Sequence, residues 1–375
     1  MSRNLQCKLY LLCILCCTAI LAVFPRAPSP CCAADNSEKL VSPELLEHAR
    51  LKILWENELP IKKGESLERL VILGERIYAF SDRNYMISLD REKGNMIFGS
   101  SIAPAGLPIV GLELYGDKLI FLIGNEVVEI SPESGEKVSA WHPGFNIICP
   151  IARNSSHFYL AGEDGRLQVL RAEDMIMVFK VAPDNESMIT SIIADERFVI
   201  FTTDGGNVIS FTPDRPIQLW QFDAAGGIVG PIVRDGNSLF FACNDTNVYR
   251  IDMLDLQAVK LIWKCQTNAV LDNAPYLTKD IVYQRADDKG LAAIDKKSGK
   301  LLWQLVKGAD LLAEANGKAY VISRNRILVV MDNNKSKKLY LANFAQVSRY
   351  ATNTTDSKIY IADENGRIAC ITPIE

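Results

Sequence analysis

The chain has 375 residues, of which 48% are hydrophobic and 23% charged. This is globular composition with length enough for a large core, which excludes disordered, collagen-like and small disulfide-scaffold architectures. The formal charge is −4, and a mildly acidic body lacks the basic face that nucleic acid requires.

The first 34 residues are set apart, holding six of the ten cysteines, three basic residues and no acidic one. A basic start through Lys8 leads into the uncharged run Leu9 to Phe24, followed by Pro25, Pro28 and Pro30 and a small-residue ending at Ala34. That order predicts a secretory signal over residues 1–34, cleaved between Ala34 and Asp35. As a helix the run would span about 24 Å, short of a hydrocarbon core of about 30 Å. An uncleaved N-terminal membrane anchor is the alternative. A lipid-modified Cys31 is a third reading, although it follows Pro28-Ser29-Pro30 rather than a leucine and a small residue. Cys13 and Cys16 have redox spacing but lie inside the apolar run, where they act as apolar filler. Residues 35–50 read as a linker and a short helix, opened by Ser42-Pro43-Glu44 and running to about Arg50.

From residue 51 to residue 375 the sequence repeats. A turn of Gly, Asp, Asn or Ser introduces a pair of apolar segments, as in ERIYAFSDRNYMISLD and SKIYIADENGRIACIT. The first apolar residue after each turn is Ile77, Leu119, Phe158, Phe198, Leu239, Ile281, Ala319 or Ile359, a period of about 40 residues. Tips such as Asp204-Gly205-Gly206-Asn207 suit the positive φ of tight hairpins. One apolar stretch precedes each hairpin and another follows it, making four strands per unit. The pattern predicts an all-β, eight-bladed propeller of four-stranded blades. After Ile359 too little chain remains for an outer strand, and Leu51 to Leu59 supplies it, so the N-terminal strand closes the ring.

The last strand of the units carries an aromatic residue at a fixed phase: Trp55, Phe98, Trp141, Phe179, Trp220, Trp263 and Trp303. Trp141 sits two places late, a shift that preserves the sheet face. One ring per unit at constant phase reads as structural filling between blades rather than carbohydrate stacking. The body's four cysteines, Cys149, Cys243, Cys265 and Cys370, lie in apolar stretches and read as buried thiols, with a Cys243–Cys265 bridge as the alternative.

Leu291-Ala-Ala-Ile-Asp295-Lys-Lys-Ser-Gly299-Lys-Leu-Leu-Trp303 is the clearest copy of a hairpin–Asp–Gly-Lys-x-x-Trp pattern; Ile87 to Phe98 and Val128 to Trp141 are further copies. These units resemble the pyrroloquinoline-quinone-like (PQQ-like) repeat family of quinoprotein alcohol dehydrogenase-type propellers. Two branches of that family matter. Quinoprotein dehydrogenases imply a quinone and calcium in the central funnel and often a vicinal disulfide; the vicinal cysteines here, Cys16-Cys17 and Cys31-Cys32, both precede the body. The other branch, the BamB-type subunits of outer-membrane protein assembly, implies an exported scaffold of similar build. No copy of the loop with which that branch holds its central barrel protein is recognisable.

Three body histidines, His48, His142 and His157, are scattered, and no metal-ligand spacing or serine elbow occurs. Gly226-Gly227-Ile-Val-Gly230 connects two blades and precedes no helix, so it lacks a phosphate cradle. Sequons begin at Asn154, Asn185, Asn244 and Asn353. Blade-to-blade connectors and hairpin tips share one face, where Arg83, Arg285, Arg324 and Arg326 are candidate partner-facing residues.

The expectation is an exported, non-enzymatic propeller that acts as a protein-interaction scaffold at the cell envelope, periplasmic or outer-envelope associated. No cofactor or metal is expected. The partners expected are envelope proteins and not nucleic acid, with membrane association through the N-terminus if the anchor is retained. The BamB likeness implies outer-membrane protein assembly. The alternative is a degenerate quinoprotein or small-ligand propeller using the funnel.

Overall fold

The computed structural model describes residues 39–183 and 185–374; the signal and its cleavage point at Ala34 and Asp35 lie outside them. Within the described residues the strands form eight four-stranded antiparallel sheets. In seven of these sheets the strands follow chain order from the inside out, as in Leu67–Leu73, Arg76–Ser81, Tyr85–Asp90 and Met96–Ser101 of blade 1. Blades 2 to 7 occupy residues 109–141, 152–181, 189–223, 233–266, 276–305 and 308–343. Blade 8 is composite: Arg349–Ala351, Ile359–Ala362 and Arg367–Pro373 are completed by Leu51–Glu58, with Leu51 opposite Pro373 and Glu58 opposite Arg367. The closed eight-bladed propeller expected from the repeat is the observed architecture.

Burial explains the sequence pattern. The middle two strands of a blade are covered on both faces by the neighbouring blades, so they read as apolar runs instead of alternating: Lys118–Ile123 and Glu126–Ile130 are buried almost throughout. The outer strand is half solvated and alternates, and in Val259–Gln266 only Trp263 and Cys265 are buried. The cores therefore sit between blades. Phe198, Ile200 and Val208 of blade 4, for example, pack with Leu239, Phe241 and Ile251 of blade 5.

Each outer strand carries a bulge at the same place. The register slips between Ser88 and Leu89, between Arg250 and Ile251, between Ala293 and Ile294, and at the corresponding site of every other blade. The residue after the bulge is the aromatic: Phe98 opposite Ser88, Phe179 opposite Val169, Trp220 opposite Ser210, Trp263 opposite Arg250, Trp303 opposite Ala293 and Trp55 opposite Cys370. Blade 7 fills this position with Tyr340, opposite Val330, and blade 2 with Ser139, its Trp141 lying two residues on.

The rings reach across to the next blade. The Trp263 indole Nε1 donates to Lys296 O at 3.1 Å, and its ring covers Gly299, where a Cβ would lie 2.6 Å from the ring. Trp55 covers Gly94 and Phe98 covers Gly135 in the same way. Those three glycines have φ of +72° to +73°, so position and space both favour glycine. The Trp303 Nε1 donates to Asn333 Oδ1 of blade 7 at 2.9 Å.

A short helix, Pro43–His48, precedes the closing strand, with Ser42 Oγ accepting from the Leu45 amide and Pro43 in the first turn. The helix stops at His48 rather than near Arg50, because Ala49 caps it and Arg50 turns to φ +59°. Leu46 is fully buried, joining Leu40 and Val41 in a core shared with blades 7 and 8. The helix is not long and apolar enough to cross a membrane, and the same holds for every helix among the described residues.

Candidate protein-interaction face

The connectors and hairpin tips lie on one face of the ring, as alternation of strand direction requires. Five connectors there expose an aliphatic side chain: Leu107, Ile148, Val229, Val270 and Val306, the last 66% exposed. Each connector packs closely against the neighbouring tips, which holds these side chains outward. Between blades 4 and 5 a Cβ on Gly227 would stand 2.3 Å from Asp204 O and one on Gly226 2.8 Å from the Asp245 amide. The glycine-rich stretch Gly226–Gly230 is thus a packing device between two tips.

The four candidate arginines divide. Arg83 is exposed on the tip of blade 1. Arg285 belongs to the strand Ile281–Ala286 and not to the tip, where its Nε pairs with Asp287 Oδ1 at 3.2 Å. Arg324 and Arg326 flank the tip of blade 7 and are exposed. The fold brings Arg285, Arg324 and Arg326 onto adjacent blades and leaves Arg83 apart, with blade 8 between. Sequence reading missed Lys289 and Lys307, which join the same region, and all five exposed aliphatics, because an apolar residue in a connector is indistinguishable from the strand beside it.

Elsewhere the fold consumes residues that could have served chemistry. Asn154 is buried, its Oδ1 accepting from the Ser156 and His157 amides and its Nδ2 donating to Tyr159 Oη at 2.9 Å. Asn353 is likewise buried, accepting from the Thr355 amide. Neither sequon asparagine is accessible for glycosylation, whereas Asn185 and Asn244 are exposed. The four cysteines are free, and burial pushes the Cys149, Cys243 and Cys370 thiols up to about 12. Cys243 packs between blades 4 and 5 and Cys265 between blades 5 and 6, on opposite faces of blade 5, so these two do not pair. Among the described residues no group of three or more His, Cys, Asp or Glu side chains converges to hold a metal.

Burial lifts two carboxyls on inner strands, Glu113 of blade 2 to about 7 and Asp310 of blade 7 to about 6. Asp310, on the inner strand of blade 7, is 8% exposed; its Oδ1 accepts from the Leu311 amide at 2.9 Å and Tyr276 Oη stands 3.5 Å from Oδ2. Burial lifts its carboxyl to about 6, partly offset by those hydrogen bonds and by Arg285. A cavity of about 690 Å³ opens at its neighbour Tyr276, lined also by Arg234, Thr278, Lys279 and Lys296 of blades 5 and 6 and by Thr354 of blade 8.

These features define an eight-bladed propeller with a tightly packed body and a loop face that exposes aliphatic side chains among charges of both signs. Within that class the chain resembles the BamB type. Residues 205–366 match the family described as outer membrane protein assembly factor BamB. The factor of that name from Yersinia pestis is 22% identical over 200 residues, covering 48% of this chain and 49% of that protein. Its counterpart from Moranella endobia is 24% identical over 196 residues, covering 47% and 49%. The chain therefore spans about half the length of the curated relatives it matches. Among solved structures, BamB from Moraxella catarrhalis superposes with a TM-score of 0.62 at 12% identity, covering 86% of this chain and 97% of that one. The computationally designed Ika8 protein gives 0.63 at 12% identity, covering 84% and 98%. At such identities the structural likeness speaks for the fold alone.

Proposed function

We propose that this chain is an exported, non-enzymatic scaffold of the cell envelope that serves outer-membrane protein assembly, with its loop face as the contact surface. The observation that carries the reading is the pairing of BamB-type repeats with a loop face exposing five aliphatics beside arginines, the residue types of protein interfaces. The basic start and apolar run of residues 1–34 support export, and retention of that run would add a membrane anchor. The test is affinity capture of the tagged full chain from chemically cross-linked envelope membranes. Recovery of a component of the outer-membrane assembly machinery is expected; recovery of no specific protein over a tag-only control overturns the reading.

A second reading, a degenerate quinoprotein or small-ligand propeller, is favoured by the cavity at blades 5, 6 and 8. Incubation with the quinone and calcium, followed by a dye-linked dehydrogenase assay, separates the two. No turnover is expected, and quinone-dependent dye reduction would favour the second reading.

A further inference from the structure

We infer that the rim formed by the tips of blades 6 and 7 and the connector between them is a docking site for an acidic polypeptide segment bearing an apolar side chain. This rests on the scaffold reading and names the chemistry of its partner.

The rim is one continuous surface. The Arg324 amide donates to Lys307 O at 2.9 Å, tying the blade 7 tip to the connector Val306–Lys307. On the other side a Cβ on Gly290, at the end of the blade 6 tip, would stand 2.6 Å from Val306 O. Lys289, Lys307 and Arg324 thus flank the connector that carries Val306, the most exposed large apolar side chain among the described residues, and Arg326 continues the basic stretch along the blade 7 tip. In a chain of net charge −4, these four exposed cations have no carboxylate within 4.0 Å among the described residues. Arg285 on the same rim is already paired with Asp287.

Arg326 sits at φ +55°, at the tip position where blades 3, 4 and 8 carry Gly165, Gly206 and Gly366 and blades 1 and 5 carry Asn84 and Thr246, also at positive φ. A long side chain is held in a conformation that favours glycine, and the Phe344 amide donating to Arg326 O fixes it there. The exposed guanidinium reaches the connector to blade 8, where Nη1 donates to Ala345 O at 3.2 Å. Exposed cations such as Lys307 and Arg324 at a connector that bears a bare aliphatic match a carboxylate-bearing peptide with a hydrophobic residue. A uniformly anionic bilayer fits less well, because Asp287 and Asp288 stand exposed on the same rim and repel it, whereas a polypeptide places its charges one at a time.

The test uses the full chain and a labelled twelve-residue peptide alternating Glu with Val, a Gln-for-Glu control peptide, and vesicles containing phosphatidylglycerol, with binding read by fluorescence anisotropy and co-sedimentation. The Glu peptide should bind, and the affinity should fall about tenfold or more in a Lys307→Glu, Arg324→Glu, Arg326→Glu variant and about threefold or more between 50 and 300 mM NaCl. Lys335→Glu, a fold control exposed on the opposite face of blade 7, should leave it unchanged. Equal binding of the Gln peptide, insensitivity to the triple reversal, no binding at all, or preference for the vesicles overturns the inference. Any of those results leaves the scaffold reading standing on its own capture experiment.

Discussion

Trp263 shows what one residue contributes to this fold. Its ring closes the space between blades 5 and 6, its Nε1 reaches Lys296 O, and it leaves no room for a side chain at position 299. Trp263→Ala should therefore cost about 3–5 kcal/mol as a core truncation, and Gly299→Ala should also destabilise, since the new Cβ meets the ring at a left-handed φ. Chemical denaturation at constant m-value checks both, and an unchanged midpoint for Trp263→Ala would refute the structural role. Asp310 makes a pH-dependent case. With its carboxyl lifted from 3.8 to about 6, the folded chain keeps a proton that the unfolded chain has released over that interval. Its contribution to stability thus falls as pH rises from about 4 to about 6 and is level above. Asp310→Asn should raise stability at pH 7 by on the order of 1–3 kcal/mol and by less at pH 4. Parallel pH profiles for the variant and the parent would refute it.

At the scale of the strand, the recurrent bulge decides two matters together. It sets the aromatic that follows it toward the next blade, and it interrupts an outer edge that would otherwise pair with other molecules. The outer strands keep exposed aliphatics, such as Val138 and Leu341, on edges whose ladder is broken. The closing strand Leu51–Glu58 has the largest consequence of any element, because it pairs the start of the body with its last strand. Arg91 reinforces that junction. Nearly buried, it donates to Asn353 Oδ1, Thr355 Oγ1 and Tyr360 Oη and pairs with Asp356 at 2.9 Å, tying blade 1 to blade 8. Arg91→Ala should cost about 3 kcal/mol by stranding these groups. Removal of residues 39–58 should lower and broaden the thermal transition seen by circular dichroism, and a sharp transition at the parent midpoint would show that closure is dispensable. The aromatic slot was legible in the sequence, since all seven residues named there fall in the outer strands. Tyr340 escaped because it is not a tryptophan or phenylalanine, although it lies as far from Ala319 as Phe98 does from Ile77.

For the whole molecule, the ring converts eight local units into two faces with different characters. One carries tight turns; the other carries hairpin tips and connectors with exposed aliphatics among charges of both signs. The partner-facing arginines were legible as loop residues, but their grouping was not. Arg285, Arg324 and Arg326 are separated by up to a full repeat in sequence, and Val306 and Lys307 read simply as the link between two strands. The sequence by itself determined the number of blades, the position of each hairpin and the closing strand, because those depend on a local period of about 40 residues and on two-residue alternation within strands. Only the tertiary structure decided which tips meet, which sequons are buried, that Cys243 and Cys265 face apart, and that cations of two tips flank the connector bearing Val306. Those relations are set by the lateral packing of blade on blade around a closed ring, a distance that no spacing along the chain encodes.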